Sequence, residues 1–150
     1  MRISSSASNR NFGFPVSIGQ SSWCSVDEIA GRLLLAALFL ISGLGKIGVY
    51  AGTVTYMSSA GVLGPLLPAV IAVEVLGALA IVLGRKTRIT AFILAGYSLL
   101  IAVIFHHNFA DQIQAIQFLK NCSIAGGFFL LVANGAGPLS QDHRLSKHDR

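Results

Sequence analysis

This sequence is short of charge. Charged residues make up 11% of its 150 positions, against about 25% in soluble globular chains. Hydrophobic residues make up 53%, and the mean hydropathy is +0.69. A soluble fold of this length could not cover its surface with so few charges, which excludes that class. Cysteine is scarcer still, at two positions. Cys24 and Cys122 are far apart, so neither a C-x-x-C dithiol nor a disulfide framework is available. No phosphate-binding glycine loop, nucleophile elbow or zinc signature occurs. The net charge of +5 does not signal nucleic acid, because no basic stripe interleaved with aromatics is present. The cations lie instead at the ends of apolar runs, where lipid headgroups are met.

Four such runs are present, at about 29–50, 65–84, 88–106 and 118–137, each near the roughly 20 residues that a helix needs to cross a bilayer. In hydrocarbon every backbone amide must be satisfied internally, so each run is expected to be a helix. The expected fold is an all-α membrane protein, a four-transmembrane-helix bundle over residues 28–137. Residues 1–27 are rich in Ser, Asn and Gly and are read as a flexible tail; their Arg and Ser content also fits a transit peptide, but composition alone favours the ordinary tail. Residues 138–150 are read as a second, charged and mobile tail. The connections are a small, polar, Gly-containing stretch at 51–64, a tight basic turn at 85–88 and a polar stretch at 107–117. A four-span path places Arg2, Arg10, Arg32, Arg85, Lys86, Arg88, Arg144, Lys147 and Arg150 on one face, and only Lys46 and Lys120 on the other. The positive-inside rule then puts both termini in the cytoplasm of a cell whose inner membrane the protein spans.

Against this background Glu74 stands out, in the middle of "AVIAVEVLGALAIVL" at 69–83. A carboxylate at mid-span costs about 2.5–3.5 kcal/mol on insertion scales, and an intramembrane ionisable group is functional by default. It is expected to face the bundle interior, either ionised against a cation or protonated and donating a hydrogen bond. Lys46, His106 and Lys120 close or open the other three spans on the outer side, so each helix supplies one ionisable group. Gly77 and Ala78 follow Glu74 on its own helix face, Arg32, Phe39 and Lys46 are spaced by sevens, and so are Lys120, Gly127 and Asn134. Ala91-x-x-x-Ala95 is a weaker packing signal. The competing reading is structural: a polar cluster that pins four helices in register, with Lys46, His106 and Lys120 simply snorkelling to headgroups. His106 and His107 are adjacent and point apart, so they cannot clamp a haem from opposite sides; no metal site is expected, the His pair with Asp111 being too common a spacing.

The stretches "GRLLLAALFLISGLGKI" at 31–47, "LPAVIAVEVLGALAIVLGRKTR" at 67–88, "FH" at 105–106 and "FLKNCSIAGGFFLL" at 118–131 carry a family resemblance. Over about residues 29–140 the chain resembles the DoxX/DoxD-like family of small membrane proteins. The resemblance implies a four-helix fold. It also implies a setting, since some relatives are subunits of a thiosulfate:quinone oxidoreductase and others serve complexes that handle thiol or oxidative stress. Arg32, Lys46, Glu74, Arg85, His106 and Lys120 carry over by position. The leading expectation is a membrane subunit of a quinone- or thiol-associated redox complex, with Glu74 and His106 as a proton relay. Arg32, Lys46, Arg85 and Lys120 are expected to form the polar cluster and headgroup contacts. Quinone is the one cofactor considered, and an oxidoreductase subunit or a second copy of the chain are the partners considered beside the lipid bilayer. A small proton or solute transporter, and a non-catalytic scaffold or assembly factor, are the alternatives.

Overall fold

The computed structural model of the chain describes residues 20–135, 137 and 140–142, with side chains from residue 26 onward. Its elements are α1 (Gln20–Gly48), α2 (Tyr50–Ser59), a single 3-10 turn (Gly64–Leu66), α3 (Leu67–Leu83), α4 (Thr87–Phe105) and α5 (Gln112–Asn134). Four of these, α1, α3 with its leading turn, α4 and α5, are long and apolar enough to cross a membrane. The chain is the expected all-α, four-span bundle.

Local chemistry sets the helix ends. Pro65 and Pro68 stand in the opening turns of the second span, where a missing N–H is harmless. Gly84 ends α3 in the left-handed region at φ 64°, and the Arg85 N–H returns to the Ala80 carbonyl at 3.0 Å, a glycine cap of the usual kind. Asp111 starts α5 by accepting the Ile113 N–H at 2.8 Å.

That cap explains one departure from expectation. The fourth span was expected from about 118, but Gln, Ala and Ile at 112–117 continue a capped helix readily, so half of the polar stretch is helical. A second departure is α2. The stretch 51–64 looked like a loop, because its glycines and small polar residues hide a helix whose Met57 is buried against the bundle. Third, α1 begins at Gln20, inside the stretch read as tail; residues 1–19 lie outside the described residues. At the other end, residues 140–142 pack against the α3–α4 turn, with Ser140 buried, whereas 143–150 lie outside the described residues.

Packing follows the small residues. α1 runs along α3, α4 along α5, and α3 against α4 joins the two pairs. The core holds Ala36, Phe39, Ala78, Ile81, Ala91, Leu94, Ala95, Ala125 and Phe128. Five of these are alanines, which let helices approach where no hydrophobic drive separates them from lipid. Phe39 sits edge-on to Phe128 at 5.4 Å and tilted against Tyr97 at 6.1 Å. Outside, Leu34 and Ile41 are 75% and 74% exposed, a surface suited to hydrocarbon rather than water. Gly84 is a pressure point: a Cβ there would lie 2.6 Å from Arg32 Nη1 and 2.6 Å from Ser140 Cβ. Gly84→Ala also forces a side chain into positive φ, so it should lower stability by more than about 1 kcal/mol, measured as the unfolding midpoint in detergent.

Candidate functional site

The site begins with a glycine. A Cβ on Gly43 of α1 would lie 2.8 Å from Val75 Cγ2 and 3.1 Å from Glu74 Cβ, so only glycine lets α1 and α3 meet there. One helical turn away, this approach brings Lys46 onto Glu74. Lys46 Nζ donates to Glu74 Oε1 at 2.9 Å and Oε2 at 2.8 Å, and to Ser42 Oγ at 2.6 Å. From α4, the Tyr97 hydroxyl donates to Glu74 Oε1 at 2.6 Å. Glu74 is 3% exposed. Three helices are thus tied at one buried group, in a setting where charge pairs are screened little and an unpaired charge is expensive.

This network forms the floor of a cavity of about 470 Å³. Leu38, Phe39, Val70, Ile101 and Ile104 give it apolar walls, and Thr53, Tyr56 and Met57 of α2 also line it. Tyr56 stacks on Phe105 at 5.2 Å. His106, Gln117, Lys120 and Asn121 also line it. His106 Nδ1 lies 2.9 Å from Gln114 Oε1. Lys120 is exposed and makes no hydrogen bond among the described residues.

Of the residues singled out from sequence, Lys46, Glu74, His106 and Lys120 therefore share one cavity. Arg32 and Arg85 do not. Arg32 lies on α1 about 21 Å from Lys46 at 1.5 Å per residue, buried beside Gly84, and Arg85 is exposed on the α3–α4 turn. The expected polar cluster splits into two ends because spacing by sevens aligns residues on one helix face without bringing them to one depth. Tyr97 is the member of the Glu74 network that sequence reasoning missed. Its signal was a phenol in mid-span, since a buried tyrosine hydroxyl needs a partner. No cluster of three or more metal-ligating side chains occurs among the described residues.

Fold and site define a small, four-span integral membrane protein with a buried Lys–Glu–Tyr network. The chain belongs to the DoxX family, whose model matches residues 29–107. It is 47% identical over 122 residues to inner membrane protein YqjF of Escherichia coli (strain K12), covering 81% of this chain and 94% of that relative. It is 42% identical over 123 residues to inner membrane protein YphA of the same organism, covering 77% of this chain and 88% of that relative. No solved structure gives a significant match. The family match includes Lys46, Glu74, Tyr97 and His106 but stops short of Lys120.

Proposed function

We propose that the chain is a membrane subunit of a redox-linked complex, quinone- or thiol-associated, and that its cavity takes a quinone headgroup. The observation that carries this reading is the carboxylate of the 3%-exposed Glu74, held by an ammonium and a phenol at the floor of a mainly apolar cavity of about 470 Å³. That volume lies within the roughly 300–1,000 Å³ of small-molecule sites. A quinone ring presents two carbonyl acceptors, and the lining residues offer donors: Lys46 and Tyr97 at the floor, His106 and Lys120 beside them. When bound, the quinone would supply two-electron, two-proton acceptor chemistry. The chain's own residues handle the proton. Glu74 holds it; on protonation its bonds to Lys46 and Tyr97 weaken, and both donors become free to turn to a ring carbonyl. His106, at the C-terminal end of α4, exchanges the proton with the outer aqueous phase. As the relatives' names say of them, the protein lies in the inner membrane; Arg85, Lys86 and Arg88 on one turn support a cytoplasmic placement of that end and of both termini.

Photolabelling with an azido-quinone tests this reading. Label should fall on peptides containing Tyr97–His106 and Gln117–Ile124, be competed by excess unlabelled quinone, and drop in Glu74→Gln protein that unfolds at the wild-type midpoint. Label spread evenly over lipid-facing peptides, unaffected by competitor, would refute it.

A further inference from the structure

At the opposite end of the bundle a second charged arrangement takes no part in the cavity. Arg32 is 5% exposed, and its Nε and Nη1 have no hydrogen-bond partner. A cation taken this far out of water is ordinarily paired and hydrogen-bonded. Its guanidinium lies over Gly84, close enough that a Cβ there would meet Nη1 at 2.6 Å. Beyond Gly84 the chain turns into α4 through Lys86, which adopts a left-handed φ of 48°, and the first N–H groups of α4 emerge. Asp142 holds them: its Oδ1 accepts the Lys86 N–H at 2.7 Å and its Oδ2 the Thr87 N–H at 2.8 Å. Its own N–H donates to the Gly84 carbonyl at 2.9 Å. Burial pushes the Asp142 carboxyl up, but the N–H bonds of Thr87 and Lys86 and the nearby Arg32 charge outweigh it, holding the group below its usual range.

The Arg32 charge is felt at Asp142, yet Asp142 hydrogen-bonds only the backbone N–H groups. Each Asp142 oxygen accepts one backbone N–H, and neither accepts from Arg32 Nε or Nη1. The Arg32 donors are left over. A phosphate group has further oxygens at tetrahedral angles, and a helix N-terminus with a guanidinium beside it is a setting in which phosphates bind. Arg85, Lys86 and Arg88 are exposed around it. We propose that Arg32 and the N-terminus of α4 form a phosphate site, that Asp142 fills it as a stand-in, and that a phosphate group takes it over when residues 140–142 lift away. The phosphate comes from an anionic lipid headgroup at this end of the bundle or from solution. This site is independent of the cavity reading.

The test is lipid retention by the full-length protein in native mass spectrometry, after loading with phosphatidylglycerol or phosphatidylcholine. Wild type should retain phosphatidylglycerol preferentially, and Asp142→Asn should retain more of it. Arg32→Gln should reduce phosphatidylglycerol retention about fivefold, the effect of one cation on an anionic lipid. Should Arg32→Gln not fold, amide exchange in Asp142→Ala decides. The Lys86 and Thr87 N–H groups should exchange fast in phosphatidylcholine and be slowed again by phosphatidylglycerol. Added inorganic phosphate identifies the source: displacement of the lipid supports a solution anion, and no displacement supports the headgroup. Equal retention of both lipids by wild type and Asp142→Asn, or amide exchange indifferent to the lipid, would overturn the proposal.

Discussion

Lys46→Met should destabilise the bundle by about 3 kcal/mol, the lower end of the range for breaking a buried ion pair. The lower end applies because the Lys46 side chain keeps 24% of its surface, whereas that of Glu74 keeps 4%. The loss comes from stranding the Glu74 carboxylate with only the Tyr97 hydroxyl to answer it. The second half of the prediction is more telling. Lys46→Met combined with Glu74→Gln removes the charge that was stranded, so it should recover most of the stability of wild type. A buried pair contributes little net stability compared with a neutral replacement, even where breaking one side is costly. Unfolding midpoints of the four proteins in one detergent give the coupling energy directly. If the double variant is as unstable as Lys46→Met alone, the two residues are not paired as described. If Glu74→Gln folds like wild type, the network is kept for something other than stability.

Gly43→Val has the next largest expected effect, and it acts through distance alone. The first added atom would stand 2.8 Å from Val75 Cγ2 and 3.1 Å from Glu74 Cβ, and a β-branched side chain cannot swing clear within a helix. α1 and α3 must then part. Overpacking of this kind costs about 1–3 kcal/mol, and the separation stretches the Lys46–Glu74 contact as well. Gly43→Val should therefore lose additional stability in a wild-type background that it does not lose beside Lys46→Met/Glu74→Gln. Gly43→Ala should be milder, since it adds only the Cβ and not the two further methyls of valine. Equal losses in both backgrounds would mean that Gly43 serves packing only.

The sequence showed the membrane class and the four spans because lipid leaves few solutions: long apolar runs must be helices, and their number follows from counting them. It also exposed Glu74, because a mid-span carboxylate is improbable without a reason. What it could not show was depth. Arg32 and Lys46 share a stripe on α1, but one lies at each end of the span. Tyr97 escaped notice because it is apolar enough to pass as packing, and only the fold brings its hydroxyl to within 2.6 Å of Glu74. α2 was hidden by Gly52 and its small polar neighbours, whose low helix propensity is overridden once Met57 packs on the bundle. Asp142 was assigned to a mobile tail because its partners, the N–H groups of Lys86 and Thr87, lie more than 50 residues earlier in sequence, and no local pattern marks such a cap.

The central claim is that the Lys46–Glu74–Tyr97 floor serves a ligand rather than register. Mild-detergent purification from native membranes, with quantification of quinone per chain and identification of co-purifying proteins, tests it most directly. Wild type should carry near-stoichiometric quinone and an oxidoreductase partner, and Glu74→Gln, equally folded, should have lost the quinone. Wild type recovered with bulk phospholipid alone, or quinone unchanged in Glu74→Gln, would contradict the account.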